Sequence, residues 1–200
     1  MARLEAAGRV IAGTARGIRL QGAGPGVRPL GDRLKEALFA TLEPELRGAA
    51  FLDLFAGTGA GGVEALSRGS ATATFVEANA RAFATIERNL QAAHVGGPAA
   101  RLVRADVVAW LRGVPGGPYD VVLVDPPYDQ PALLTAALEA LAGPGPGPHR
   151  GAIVRAGGVV VAKHASKTVV PAEIGLLRSA RERRFGDSAL TFYRWAQEAG

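Results

Sequence analysis

The chain has 200 residues, of which 48% are hydrophobic and 20% are charged, a composition typical of a soluble globular protein with one core. It contains no cysteine, which excludes disulfides, thiolate metal sites and cysteine nucleophiles. Its three histidines lie far apart in the sequence, so we expect no metal site. No apolar run approaches the roughly 20 residues of a membrane span, and we expect a cytoplasmic protein without membrane contact.

The charge is unevenly distributed, although the net value is only +5. Residues 1–47 carry eight Lys or Arg against five Asp or Glu, and residues 149–184 carry eight against two. Residues 48–148 carry six against nine. Basic ends around an acidic middle are compatible with a bound polyanion, while solvated surface arginines would explain them equally well.

Residues 1–47 predict a small appendage to a catalytic domain that occupies residues 48–200. Two short apolar segments, 9–13 and 18–20, predict a hairpin. The glycine- and proline-rich stretch after them predicts a loop that carries Arg28. The appendage is suited to binding phosphates; alternatively, it covers one sheet edge.

A helix follows the loop, because apolar residues recur at helical spacing after Asp32, which can cap its first turn. Arg33 and Lys35 fall on the polar face of this helix, and we expect both to face a polyanion. Pro44 should end the helix nearby.

The segment 51–66 predicts a strand, a tight turn and a helix. Its glycines at 57, 59 and 62 have the Gly-x-Gly-x-x-Gly spacing, which allows a nucleotide to lie against bare backbone. Asp53 precedes the turn and would repel the pyrophosphate of a dinucleotide, whereas it could hold the α-ammonium group of S-adenosylmethionine (SAM). The turn therefore favours SAM.

Two further acids follow at the ends of the next strands. Glu77 ends strand 71–76, twenty residues beyond Gly57, where a carboxylate can accept from both ribose hydroxyls. Asp106 precedes a short apolar helix and could accept from an adenine amino group, with the backbone of Val107 against the ring. Its other interpretation is simply a helix cap.

A buried parallel strand is predicted at 119–124, and Asp125, Pro126, Pro127 and Tyr128 follow it. The carboxylate of Asp125 and the carbonyl of Pro126 can both accept from the amino group of a nucleobase, which would aim the nitrogen lone pair at a methyl donor. The two prolines stiffen the turn. Tyr128 offers a ring for base stacking, worth roughly 1–3 kcal/mol. This segment predicts an amino-methyltransferase.

The rest of the chain completes an α/β pattern. A helix begins near Pro131, a low-complexity surface loop covers 143–151, and a fifth strand at 159–162 ends in Lys163 and His164. Two last strands, the first rich in arginine and the second at 189–195, predict an antiparallel hairpin at a sheet edge.

These motifs, taken together and in order, resemble the bacterial small-subunit (16S) ribosomal RNA guanine-N2 methyltransferase family. The middle motifs are shared with many amino-methyltransferases, and the N-terminal ones narrow the choice. The segments that carry the resemblance are 9–13, 17–20, 28–39, 51–59, 62–69, 125–128 and 184–191. Leu30 and Lys163 depart from the family pattern, which usually has Thr and often has an acid at these places.

The resemblance implies a Rossmann-like, seven-stranded SAM-dependent methyltransferase fold. It implies a monomer that methylates one guanine N2 in 16S rRNA, in assembled or assembling small subunits, with SAM as co-substrate and no metal. The implied SAM ligands are Asp53, Phe55, Gly57, Thr58, Gly59, Glu77, Asp106 and Val107. Asp125, Pro126, Pro127 and Tyr128 would hold the guanine amine, and Arg28, Asp32, Arg33 and Lys35 would face the RNA.

Three other functions compete with this interpretation. An adenine-N6 methyltransferase also uses Asp-Pro-Pro-Tyr, although 200 residues leave no room for the usual target-recognition region. A non-catalytic RNA-binding protein with the same fold would be expected to lack Asp53, Glu77 or Asp125, and all three are present. A dinucleotide oxidoreductase is disfavoured by Asp53.

Overall fold

A computed structural model describes residues 6–24, 30–113, 116–143 and 153–196. The chain forms two compact units, Met1–Ala105 and Asp106–Gly200. The boundary between the two units lies after Ala105 and not at residue 47. The division into an appendage and a catalytic domain stays a prediction. Most of the loop predicted at 143–151 lies outside the described residues.

The first unit begins with the predicted hairpin, whose strands β1 (Ala6–Arg9) and β2 (Arg19–Gln21) pair antiparallel. Helix α1 (Asp32–Leu46) follows. The helix includes Pro44 and ends two residues beyond it, at Leu46, so the predicted end is close to the observed one. The buried side chain of Leu46 anchors the last turn in the core.

The rest of the first unit alternates strands and helices: β3 (Ala50–Leu54), α2 (Ala60–Ser67), β4 (Thr72–Val76), α3 (Ala80–Ala93), a 3₁₀ turn (Gly97–Ala99) and β5 (Ala100–Val103). The three strands are parallel, in the spatial order β5-β4-β3. Right-handed crossovers favour this arrangement wherever helices join parallel strands. The Asn79 side chain caps α3 by accepting from the amides of Arg81 and Ala82.

The second unit contains α4 (Val107–Arg112), β6 (Tyr119–Val124), α5 (Pro131–Ala142), β7 (Val154–Ala165), β8 (Glu173–Ile174), β9 (Leu177–Phe185) and β10 (Ser188–Trp195). Their spatial order is β6-β7-β10-β9-β8. Strands β6 and β7 are parallel, while β10 is antiparallel to both β7 and β9. The predicted closing hairpin is therefore confirmed, with β10 inserted between β7 and β9.

Strand β7 is much longer than the predicted segment 159–162. Its pairing with β6 shifts register between Tyr119 and Val121, which lets Gly157 and Gly158 lie inside the strand instead of before it. Strand β8, which has two residues, was not predicted.

These elements confirm an α/β, Rossmann-like methyltransferase fold, with three long strands in the first unit and four in the second besides β8. None of the helices in the described part of the chain is long and apolar enough to cross a membrane.

Candidate active site

The turn after β3 has unusual backbone geometry at the residues assigned to the methionine end of SAM. Gly57 and Gly59 have φ angles of 56° and 77°, and Phe55 has a φ of 58° although it carries a side chain. A residue other than glycine in this region costs of order 1–3 kcal/mol, and such strain clusters at ligand sites. The structure thus brings Phe55, Gly57, Thr58 and Gly59 together in one turn, with Thr58 buried.

Asp53 in β3 and Gly62 in α2 lie on either side of this turn in the sequence, and a hydrogen bond joins them. The carboxylate of Asp53, which is 2% exposed, accepts a hydrogen bond of 2.8 Å from the amide of Gly62. A Cβ atom at Gly62 would lie 2.2 Å from the Phe75 ring on β4, so this glycine is needed for close packing of helix against sheet. Asp53 therefore has a structural role besides any contact with a ligand.

Glu77 is tied to the same turn. One carboxylate oxygen accepts from the amide of Gly57 at 2.8 Å, and the other accepts from the amide of Asn79 at 2.7 Å. Each carboxylate oxygen can accept two hydrogen bonds, and Glu77 is partly exposed. The side chain is thus held in one orientation while it keeps the capacity to accept from two further hydroxyls.

Asp106 lies in the second unit and caps α4, where its side chain accepts from the amide of Ala109 at 2.8 Å. The helix-cap interpretation is therefore correct. Only one oxygen of the exposed carboxylate is used in this bond, and Val107 beside it is buried. Their contact with adenine remains a prediction.

Asp125 lies at the carboxyl end of β6, and its closest polar neighbour is Lys163 on β7. The ammonium Nζ of Lys163 is 2.5 Å from Oδ1 of Asp125, and the two side chains are 9% and 17% exposed. Burial raises the pKa of Asp125 above its usual value, although Lys163 opposes the shift. Burial also acts to lower the pKa of Lys163, but the Asp125 carboxylate and Tyr128 together outweigh it and the net shift is upward, so this lysine stays charged.

Tyr128 is part of the same cluster. Its hydroxyl donates to Oγ of Ser188 on β10 at 2.7 Å, and Nζ of Lys163 lies 4.6 Å from the centre of its ring. Pro126, Pro127 and Lys163 line a small cavity beside the ring, together with residues of α5. The structure thus brings Asp125, Pro126, Pro127 and Tyr128 together around the lysine.

The expectation that Lys35 faces a polyanion is wrong. Its side chain is fully buried, donates to the carbonyl of Arg9 at 2.5 Å, and lies 3.9 Å from carboxylate oxygens of Glu64 and Asp32. Burial lowers the pKa of Lys35, and the carboxylate of Glu64 opposes that shift. The lysine therefore joins α1 to α2 and the hairpin, and RNA cannot reach it without unfolding this part of the chain.

The other three residues assigned to the RNA differ in their surroundings. Asp32 accepts from the amide of Arg9 and starts α1 without capping it, since the cap residue is Gly31. Arg33 is exposed on α1, as expected. Arg28 lies outside the described residues.

Sequence patterns alone do not identify two important residues. Lys163 stands out in the sequence only as a departure from the family pattern. Asn89 on α3 is fully buried; its side chain bonds both backbone groups of Gln21 and donates to the carbonyl of Thr58 at 2.8 Å. The sequence does contain one signal for Asn89: it is a polar residue at a position on the apolar face of α3, and such residues need hydrogen-bond partners when they are buried.

Within the described residues, no group of three His, Asp or Glu side chains could hold a metal ion. In the first unit, Asp53 and Glu77 are hydrogen-bond acceptors at the glycine turn, a set suited to an organic cofactor that carries hydroxyl and amino groups. In the second unit, Asp125, Tyr128 and Lys163 combine an acceptor, an aromatic ring and an ammonium group, a set suited to a nucleobase.

Known proteins are similar to this chain in sequence and in fold. A structure of an Escherichia coli protein described as "Putative methyltransferase yhhF" superposes with a TM-score of 0.80 at 31% identity, covering 94% of this chain and 97% of the other. "Ribosomal RNA small subunit methyltransferase D" of E. coli K12 is 40% identical over 121 residues, which is 60% of each protein. The chain thus spans less than two thirds of that relative's length. "Putative rRNA methyltransferase YlbH" of Bacillus subtilis is 31% identical over 93% of this chain and 98% of its own.

The model of one protein family, described as "Conserved hypothetical protein 95", matches residues 8–194, from the N-terminal hairpin to the last strand. The match contains the glycine turn, Glu77 and the segment from Asp125 to Tyr128. The similarity to ribosomal RNA small subunit methyltransferase D is a separate finding about the same chain. Because the model matches nearly the whole chain, the chain belongs to the family that it describes.

Proposed function

We propose that this protein transfers a methyl group from SAM to the exocyclic N2 amine of a guanine in 16S rRNA. The observation that carries the proposal is the position of Asp125 and Tyr128 directly after the buried strand β6, the end at which ligands bind in open α/β sheets. The names of the E. coli and B. subtilis relatives support rRNA as the class of substrate.

The first unit contains the groups that would bind most of SAM. The turn from Phe55 to Gly59, in which three residues have positive φ, would lie against the methionine end, near the carboxylate of Asp53. Each carboxylate oxygen of Glu77 accepts from one backbone amide, so each has a second lone pair with which it can accept from a ribose hydroxyl. We assign the adenine of SAM to Asp106, which caps α4. SAM supplies the electrophilic methyl group, and the protein supplies orientation.

The amine of guanine is a poor nucleophile because its lone pair is delocalised into the ring. If its two N–H groups donate to Asp125 and to the carbonyl of Pro126, the nitrogen becomes more tetrahedral and its lone pair points away from both acceptors. The carboxylate is then also placed to receive the proton that N2 loses. The Tyr128 ring, held through its hydroxyl by Ser188, gives the base a stacking surface.

RNA contact is assigned to the exposed Arg33 and to Arg28, five positions before it in the sequence, whereas the buried Lys35 is not part of this surface. We propose that the protein acts as a monomer on assembled or assembling small subunits. Sedimentation of the protein alone and with small subunits tests both statements.

Transfer of labelled methyl from SAM tests the proposal most directly. Three acceptors are compared: small subunits that lack native modification, naked 16S rRNA, and duplex DNA, with the product nucleoside identified in each case. We expect N2-methylguanosine in RNA. N6-methyladenine in DNA would instead assign the site to the alternative adenine-N6 reaction, and absence of label in all three would refute the proposal.

A further inference from the structure

Lys163 has an unusual position for a lysine. Its side chain is 9% exposed, and its ammonium group contacts both the proposed catalytic carboxylate of Asp125, at 2.5 Å, and the ring of Tyr128, at 4.6 Å from the centroid. A buried lysine must offset a large desolvation cost, so it is retained where its partners compensate for that cost. Both partners here belong to the segment that is proposed to hold the target amine.

We propose that Lys163 is a positioning residue for methyl transfer: it holds Oδ1 of Asp125 and one face of the Tyr128 ring, which leaves Oδ2 and the opposite face for the target base. This inference rests on the proposed function, because it assigns the target amine to Asp125. It adds a residue whose place in the reaction neither the family motif nor the glycine turn indicates.

The sheet explains why the contact is specific. Val124 pairs with Ala162 in the parallel ladder of β6 and β7, so the next residues along the two strands are Asp125 and Lys163. Leu190 of β10 pairs with Lys163 on its other side and fixes the direction of β7 there. A lysine at this place therefore reaches the carboxylate directly, with its hydrocarbon stem packed in the sheet.

The numbers of hydrogen bonds that the Lys163 ammonium group and the Asp125 carboxylate can form support these assignments. An ammonium group offers three donors and no acceptor, and a carboxylate offers two acceptor oxygens. Nζ already donates to Oδ1, so Oδ2 keeps more acceptor capacity for the amine of an incoming base. The same ammonium group attracts the electron-rich face of Tyr128, while Ser188 holds its hydroxyl. One charge thus orients both groups that would contact the base.

Lys163 also acts on the charge of Asp125. Burial raises the pKa of this carboxyl and Lys163 lowers it, so the lysine keeps more of it ionised near neutral pH. Lys163 from β7 is the charged group that acts on Asp125. Tyr128 follows Asp125 in the loop after β6, and His164, next to Lys163, lines the adjoining cavity with Pro131 and Leu134 of α5. Protonation replaces one acceptor oxygen of Asp125 by an O–H donor and removes the charge that attracts the amine, so acid should slow the reaction.

The test replaces Lys163 by Met, which keeps the length of the stem without the charge, and by Arg, which restores the charge. In the Met variant we expect kcat at pH 7 to fall by about 100-fold, the typical cost of a displaced reacting group. We also expect the acid limb of its pH–rate profile to move to higher pH, because the carboxyl has lost the group that lowers its pKa. The Arg variant should return the limb towards its original position.

Lys167→Met is the matched control, since Lys167 is an exposed lysine four residues away, and its pH limb should not move. Titration of the Asp125 carboxyl by carbon NMR, assigned with Asp125→Asn, measures the same shift without substrate. A Met variant that loses activity equally at all pH values, with an unshifted Asp125 titration, would overturn the inference. If the wild-type protein methylates no guanine, the proposed function fails, and the NMR titration alone then decides whether Lys163 controls Asp125.

Discussion

The buried carboxylate of Glu64 on α2 should contribute more to the stability of the first unit than the charged groups around it. Its side chain is fully buried and accepts from the amides of Ile11 and Ala12 at 2.8 and 3.0 Å and from Nε of Arg68 at 2.8 Å. Nζ of Lys35 lies 3.9 Å from it. Glu64 thus joins the loop after β1 to α1 and α2.

Glu64→Gln removes the charge and keeps the shape. Lys35 is then left buried with only the charge of Asp32, which also lies at 3.9 Å but is partly exposed, and the amide nitrogen of Gln cannot accept from Arg68. Removing one partner from a buried ion pair costs about 3–5 kcal/mol, a large part of a typical unfolding free energy of 5–15 kcal/mol. Lys35→Met should cost about 1–3 kcal/mol, because Glu64 keeps Arg68 and both amides while the carbonyl of Arg9 loses its donor.

Urea unfolding followed by far-ultraviolet circular dichroism measures these changes, with the exposed Glu36→Gln as a control that should shift the free energy by less than about 0.5 kcal/mol. The double variant Glu64→Gln, Lys35→Met should lose less free energy of unfolding than the sum of the two single variants. The reason is that Lys35→Met removes the buried ammonium charge that Glu64→Gln leaves without its partner. Equal costs for the single variants, together with additive behaviour, would refute this account of the cluster.

Three further predictions concern the site and the surface. Asp125→Ala should abolish methyl transfer and leave SAM affinity within a few-fold, as measured by calorimetry; near-normal turnover would contradict the assignment. Replacing Arg28 and Arg33 together by Ala should weaken RNA binding and reduce its salt dependence by about one unit of slope for each phosphate that the protein no longer neutralises, whereas an unchanged slope would place the RNA elsewhere on the surface. Burial raises the pKa of Tyr193, whose hydroxyl donates to the carbonyl of Pro171, to about 12. The neutral tyrosine therefore stabilises the fold by about 3 kcal/mol below pH 10, and this contribution is lost as the pH rises towards 12; Tyr193→Phe should show a correspondingly smaller alkaline loss in urea unfolding, and an identical loss would exclude this cause.

Local patterns in the sequence were sufficient to predict most elements. Strand β6 and helix α5 begin and end at the predicted residues or close to them, because a β-branched run and a proline at the first helical position act within a few residues. The caps Asn79 and Asp106 are equally local, since each side chain bonds an amide two or three residues further along. The glycine turn likewise depends on backbone angles that few residues other than glycine adopt.

Long-range packing decided what the sequence could not show. Lys35 has the spacing of a surface residue on α1, and its burial depends on Glu64, 29 positions further along, and on the hairpin that covers it. Lys163 and Asp125 are 38 positions apart and meet only because β6 and β7 pair in one register. A sequence determines helix period, caps and turns through neighbouring residues, whereas the partner of a buried charge is set by tertiary structure, because its energy depends on which distant groups replace water around it.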